Sequence, residues 1–100
     1  MSEPRVEIDA DTLGTLRISG TISYANAADA LARLPVRAGA NAVDLDLSGL
    51  KHADSATLAV LIAWAARVQK LGGELRLRNA PQALRNLAHL SDLDGLLGLA

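Results

Sequence analysis

The stretch DLDLSGLKHADSATLAVLIAWAARVQKLGG, Asp44 to Gly73, decides how the rest of the chain is read. Leu45 and Leu47 alternate with Asp44 and Asp46, the period of a strand with one buried face. From Leu58 the apolar residues recur at helical spacing through Leu61, Ile62, Ala65, Ala66 and Val68, until Gly72-Gly73 stops the pattern. Between strand and helix stands Asp54-Ser55-Ala56-Thr57, a cluster of helix-starting residues. With Asp54 as N-cap, its carboxylate accepts from the backbone N–H of Ala56 or Thr57, worth about 0.5–2 kcal/mol, and complements the positive helix end. Ser55 is not needed for capping, so its hydroxyl can point to solvent beside N–H groups that favour an added anion. A phosphoryl group there would add about two negative charges to the surface that the helix start presents. A well-capped helix without a further role is the plain alternative.

Residues placed at about 100° intervals put Leu58, Leu61, Ile62 and Ala65 on one face of that helix. Thr57, Val60, Trp64 and Leu71 gather roughly 120° away. This apolar arc is wider than one core face needs. Val60 and Trp64 therefore read either as a docking flank beside the polar turn or as cover for the edge of the core.

Towards the N-terminus, Val6 and Ile8 alternate with Arg5, Glu7 and Asp9, and Leu16 and Ile18 with Arg17 and Ser19, across the turn residues Asp11-Thr12 and Gly14. An antiparallel hairpin is expected, broken at Gly20. Asn26 is the expected N-cap of a short helix through Ala30, Leu31 and Leu34, with Asp29 in a capping-box position; Pro35 closes it and Gly39 marks the next loop. A third strand over residues 42–47 leads into the Asp54 helix, and a fourth over 74–78 turns Leu75 and Leu77 inward. Strand, helix, strand implies a parallel pair with a right-handed crossover. Pro81 then suits the first position of a helix carrying Leu84, Leu87 and Ala88, and Ser91-Asp92 can cap a last short helix through Leu93, Leu96 and Leu97.

Every strand alternates and none is apolar on both faces, so the helices are expected mainly on one face of the sheet. The other face would carry Arg5, Glu7, Asp9, Arg17, Asp44, Asp46, Arg76 and Arg78 as a solvated charge array. Asp44 and Asp46 would pair across to Arg76 and Arg78, contributing about 0.2–1 kcal/mol each. The expected fold is α/β, with an N-terminal antiparallel hairpin and a parallel βαβ unit in one mixed sheet of about four or five strands. The whole chain, residues 1–100, reads as one domain.

Composition narrows the function. One Trp, one Tyr, no Phe and a net charge of -1 leave neither the stacking platforms nor the positive excess that nucleic-acid binding requires. The absence of cysteine excludes disulfides, thiol catalysis and thiolate metal sites, and fits a reducing compartment. MSEPRVEID has no apolar signal core, and nowhere do about 18 uncharged apolar residues run together. A soluble cytoplasmic protein is expected, reaching a membrane only through a partner. His52, Asp54 and Ser55 lie too close in sequence to converge readily as a triad, and no G-x-S-x-G elbow is present. His52 and His89 lack metal-site spacing, and Gly72-Gly73 is a helix stop rather than a phosphate loop. No catalysis, metal or cofactor is expected.

Residues 43–97 resemble the STAS domains, of the anti-sigma factor antagonist and sulfate-transporter C-terminal type. The matching features are Leu45-Asp46-Leu47-Ser48-Gly49-Leu50 as the "lDLSgl" strand, Asp54-Ser55-Ala56-Thr57-Leu58 as the "DSSGL" helix start, and Gly72-Gly73-Glu74-Leu75-Arg76-Leu77 as the step into the next strand. Ile18-Ser19-Gly20 before a short helix fits as well. The short length, Leu58-Ala59, Trp64 and the ending LRLRNAPQALRNLAHLSDLDGLL look most like the MlaB-type accessory proteins of bacterial phospholipid-transport ABC systems. The resemblance implies that Ser55 matches the Ser/Thr phosphorylated in anti-sigma factor antagonists, which lies in the partner interface of MlaB-like proteins. It implies a non-enzymatic protein that binds and regulates a cytoplasmic ATPase subunit in lipid-asymmetry maintenance; together with the helix start and the lateral flank read above, this gives Asp54, Ser55, Ala56, Thr57, Val60 and Trp64 as the expected partner-binding set. The alternative is an anti-sigma factor antagonist switched by a kinase at Ser55. Thr57 stands where the family usually has Gly, which restricts close backbone approach. Thr21-Ile22-Ser23 replaces a common Glu-Leu-Asp, removing an acidic residue near the phosphorylation site. Both departures favour constitutive docking.

Overall fold

A computed structural model describes residues 5–10, 15–33, 42–93, 95 and 97. Its elements run β1 (Val6–Ala10), β2 (Leu16–Thr21), α1 (Ala27–Arg33), β3 (Ala42–His52), α2 (Ser55–Lys70), β4 (Glu74–Arg78) and α3 (Gln82–Leu90). The sheet order is β1-β2-β3-β4, with β1 antiparallel to β2 and the remaining pairs parallel. This is the mixed α/β sheet that the strand alternation and the βαβ order imply. Asp11, Thr12, Gly14, Leu34, Pro35 and Gly39, which the sequence assigns to turns and a helix end, lie outside the described residues.

Alternation places Val6, Leu16, Ile18, Val43, Leu45, Leu47, Leu75 and Leu77 on one face, where they share a single core with Leu58, Leu61, Ala65 and Val68 of α2. Each fully buried Leu, Ile or Val stabilises the fold by about 1.5–3 kcal/mol, so this face holds α2 to the sheet. The opposite face is polar. Asp9, Arg17, Asp46 and Arg78 stand opposite one another across all the strands, an alternating row of charge. The ion pairs do not simply follow the rungs. Asp44 faces Arg76 and Asp46 faces Arg78 in register, but Arg78 Nε lies 3.5 Å from Asp44 Oδ1, a diagonal contact. Asp46 instead receives Arg17 Nε at 3.8 Å and the Asn79 side-chain amide at 3.1 Å. Solvent screening keeps such pairs near about 0–1 kcal/mol.

Several local expectations are corrected. Gly20 does not end β2, which runs on to Thr21, and β3 extends five residues beyond Leu47 to His52. The extension is held by pairing with β2, which matches Ser19 to Gly49, Gly20 to Leu50 and Thr21 to His52 through register shifts that alternation cannot reveal. Gly20 has φ +90°, and a Cβ there would strike the Arg5 carbonyl oxygen, which accepts from Thr21 N–H at 2.7 Å. Asn26 does not cap α1 with its side chain. Its Oδ1 accepts from Ser23 N–H and its Nδ2 donates to the Thr21 carbonyl, while Asp29 pairs with Arg33 one turn on at 3.4 Å. Pro81 is the N-cap of α3 rather than its first helical residue, since its ψ of 148° is extended.

The helix ends explain two further positions. Gly73 N–H donates to Val68 O and Gly72 N–H to Gln69 O, a Schellman closure with Gly72 at φ +87°. Leu93 N–H to Ala88 O and Asp92 N–H to His89 O repeat that closure on α3, with Asp92 at φ +58°. Ser91-Asp92, read as the start of another helix, is therefore the end of α3. Of the expected last helix, Leu96 lies outside the described residues, and Leu97 is buried with its N–H donated to Leu93 O.

Trp64 and Val60 form no exposed flank. Trp64 is fully buried, Val60 is 1 % exposed, and the indole Nε1–H donates to Ala30 O at 3.1 Å, fastening α2 to α1. The wide apolar arc of α2 faces α1 as well as the sheet, which is why one core face did not account for it. No helix among the described residues is long and apolar enough to cross a membrane.

Urea denaturation checks two consequences. Gly20→Ala is expected to lower stability by more than about 2 kcal/mol, through left-handed strain plus the clash. Gly72→Ala, with open space around it, should lose only about 1 kcal/mol. Trp64→Phe should lose about 1–3 kcal/mol by stranding the Ala30 carbonyl, and Trp64→Ala about 3–5 kcal/mol.

Candidate functional site

The strand-to-helix turn is built by reciprocal hydrogen bonds. Asp54 sits in an extended conformation, φ -140° and ψ -166°, so its side chain folds over the helix start. Its Oδ1 accepts from Ala56 N–H at 2.9 Å and from Thr57 N–H at 3.2 Å, and Thr57 Oγ1 accepts from Asp54 N–H at 3.2 Å. This capping box satisfies helix N–H groups that would otherwise lack partners. The Thr57 hydroxyl has one proton to give. Ile22 O at 3.0 Å is closer than Asp54 Oδ1 at 3.4 Å, so the proton goes to Ile22. Thr57 is wholly buried, and this bond ties the start of α2 to the loop between β2 and α1.

Asp54 Oδ2 remains for His52 Nε2, 3.2 Å away. The Thr57 N–H holds the Asp54 carboxyl below its ordinary range, with His52 and Ala56 adding to the effect and partial burial opposing it. His52, isolated in the sequence, thus has an acidic neighbour in the fold. The Ser55 hydroxyl makes no hydrogen bond to His52, whose Nε2 meets Asp54 instead.

Ser55 occupies the first position of α2, is exposed, and has a free hydroxyl among the described residues. Beyond it, Ala59, Ala63 and Ala66 are exposed and Ile62 is half-buried, so the outward strip of α2 carries no charge before Arg67. The expected site residues consequently separate into two layers. Asp54 and Ser55 reach the surface, Ala56 and Thr57 are buried beneath them, and Val60 and Trp64 belong to the core. Thr57 turns its bulk inward, so the Gly-to-Thr departure does not obstruct the surface. One exposed group was passed over in the sequence. Tyr24, on the loop that Thr57 holds, is 81 % exposed. Its signal was an aromatic residue set among the turn formers Ser23 and Asn26.

A family model described as "Mlab, STAS domain" matches residues 6–98. The chain belongs to this family, the MlaB-type STAS domains. Its fold is similar to the crystal structure of an antisigma-factor antagonist, STAS domain, from Rhodobacter sphaeroides, with a TM-score of 0.59 and 22 % identity over 74 % of this chain and 84 % of that one. Among curated proteins, none matches the chain by sequence.

The lowered Asp54 carboxyl fixes a pH dependence. A group whose folded pKa is depressed contributes stability that is complete above its ordinary value, here 3.8, and is lost as pH falls through the folded value. Asn can still cap a helix but carries no charge. Wild type should therefore be more stable than Asp54→Asn at neutral pH, and the gap should close as pH falls from about 4 towards about 2, followed by urea midpoints.

Proposed function

We propose that this protein is a non-enzymatic accessory subunit that binds and regulates the cytoplasmic ATPase of a bacterial phospholipid-transport ABC system. The match of the MlaB-type family model to residues 6–98 carries the reading. The arrangement of the turn supports it: the capping box spends Asp54 and Thr57 on rigidity and leaves Ser55 spare at the surface. Ser55 and the uncharged strip of Ala59, Ile62, Ala63 and Ala66 offer a flat helix face on which a folded partner can pack closely without desolvating charge. Asp54, Ala56 and Thr57 set the geometry of that face, and Val60 and Trp64 hold the helix beneath it. The protein acts on the cytoplasmic side and meets the membrane only through the ATPase.

The second reading is an anti-sigma factor antagonist switched by phosphorylation at Ser55. It is supported by the fold likeness to such an antagonist and by the free, exposed hydroxyl at a helix N-terminus, where a phosphoryl group is locally tolerated.

Co-purification and titration with the ATPase subunit test the first reading. Wild type is expected to bind, and Ser55→Asp to weaken binding at least about tenfold, equivalent to about 1.4 kcal/mol. Unchanged affinity in Ser55→Asp would sink the proposed interface. Radiolabel transfer from a cognate anti-sigma kinase, abolished by Ser55→Ala, would favour the second reading instead.

A further inference from the structure

β1 is an outer strand of the sheet, and residue parity shows which of its backbone groups lie at the rim. Thr21 N–H donates to Arg5 O at 2.7 Å, so the facing pairs Glu7–Ser19 and Asp9–Arg17 are the ones that exchange hydrogen bonds with β2. Val6, Ile8 and Ala10 stand in the alternate pairs, and their N–H and C=O groups point away from β2. Such a row of unpaired backbone groups is a template for another strand.

One of these groups is taken. Arg33, the last residue of α1, donates from Nη1 to Val6 O at 2.6 Å, and the same nitrogen lies 3.4 Å from Asp29 Oδ2. Val6 is 3 % exposed beneath the guanidinium. Ile8 is only half-buried, and among the described residues nothing bonds to its outward N–H or C=O. A recess of about 320 Å³ opens beside the strand, lined by Arg5, Val6, Glu7, Asn26, Asp29 and Arg33. Its two guanidinium groups and two carboxylates balance, so it has no net charge with which to select a small cation or anion.

The rim does match itself. The run Arg5-Val6-Glu7-Ile8-Asp9, laid antiparallel to the same run of a second copy about Glu7, sets Val6 against Ile8 and Arg5 against Asp9, each twice by symmetry. Against these stands one like pair, Glu7 with Glu7. The parity also agrees, because Val6 and Ile8 are the residues whose backbone groups point outward. Centred on Ile8 instead, Glu7 would face Asp9 twice; centred on Val6, the described overlap would shrink to residues 5–7. In the favoured register Ile8 N–H of the second copy needs Val6 O, the acceptor that Arg33 holds.

We propose that the rim of β1 is a self-complementary pairing edge for a second copy of this chain, and that the Arg33 bond to Val6 O keeps it closed. The wild-type chain is then a monomer by virtue of a side chain on α1 and not for want of a matching strand.

Sedimentation equilibrium of the full chain tests this. Arg33→Met combined with Asp29→Asn removes the guanidinium and its own counter-ion together, so the local net charge is unchanged while Val6 O is released. The double variant is expected to dimerise with a dissociation constant at least about tenfold below that of wild type. Adding Asp9→Arg sets guanidinium groups opposite each other across the pair and should reverse the gain; adding Arg5→Asp to that variant exchanges the charges and should restore it. Ile8→Pro in the double variant removes an outward N–H, leaves the ladder to β2 intact and should also return the monomer. Emission of Trp64, bonded to Ala30 of α1, reports that each variant keeps its fold; if Ile8→Pro does not, the charge exchange decides. A double variant no more dimeric than wild type, a wild type that dimerises as tightly, or a dimer indifferent to the charge exchange would overturn the proposal.

Discussion

The buried hydroxyl of Thr57 is the point on which the turn and its surroundings depend. It receives Asp54 N–H, gives its proton to Ile22 O, and sits in the residue whose own N–H binds the Asp54 carboxylate. A buried oxygen with these partners leaves no polar group orphaned where water cannot reach, and each such bond is worth about 0.5–1.5 kcal/mol while a stranded partner costs about 1–3 kcal/mol. The same atom therefore begins α2, completes the capping box and fixes the loop after β2. An apolar residue of equal size could fill the space but would satisfy none of those backbone groups.

Around that point the molecule divides by polarity. One face of the sheet is given to the core, and the other carries the row Asp9, Arg17, Asp46 and Arg78. Hydrophobic burial holds α2 to the sheet, and the exposed charge row adds little energy because water screens it. Its physical effect is on specificity. A one-residue slip of any strand would carry these charges into the core, so the row helps define the register.

The surface proposed for a partner lies at the end of the molecule where β2 and β3 finish, and it is shaped from beneath. Trp64, bonded to Ala30 O, decides how α2 lies against α1, and Thr57 decides how the Tyr24 loop lies against α2. Neither side chain is exposed. Membership of the MlaB-type STAS domains is compatible with this division of labour, in which buried residues hold an outer layer of small, uncharged groups.

By itself the sequence determined the elements whose signals are local. Alternation of Leu45 and Leu47 with aspartates marked β3, Asp54 marked the start of α2, Gly72-Gly73 marked its end, and residues 74–78 marked β4, because period, cap and stop each act within a few residues. The spare position of Ser55 was legible for the same reason, since it follows from capping geometry alone. Tertiary structure decided what depends on residues far apart in the chain. Pairing with β2 carried β3 on to His52, the Asn26 side chain turned back to the β2–α1 loop, and the N–H groups of Asp92 and Leu93 closed α3 on the His89 and Ala88 carbonyls. Trp64 was legible as apolar and lateral on α2, but whether it faced solvent or α1 turned on Ala30, 34 residues away. Tyr24 became conspicuous only when its loop was seen braced against Thr57, because exposure is set by what packs around a side chain and not by its neighbours in sequence.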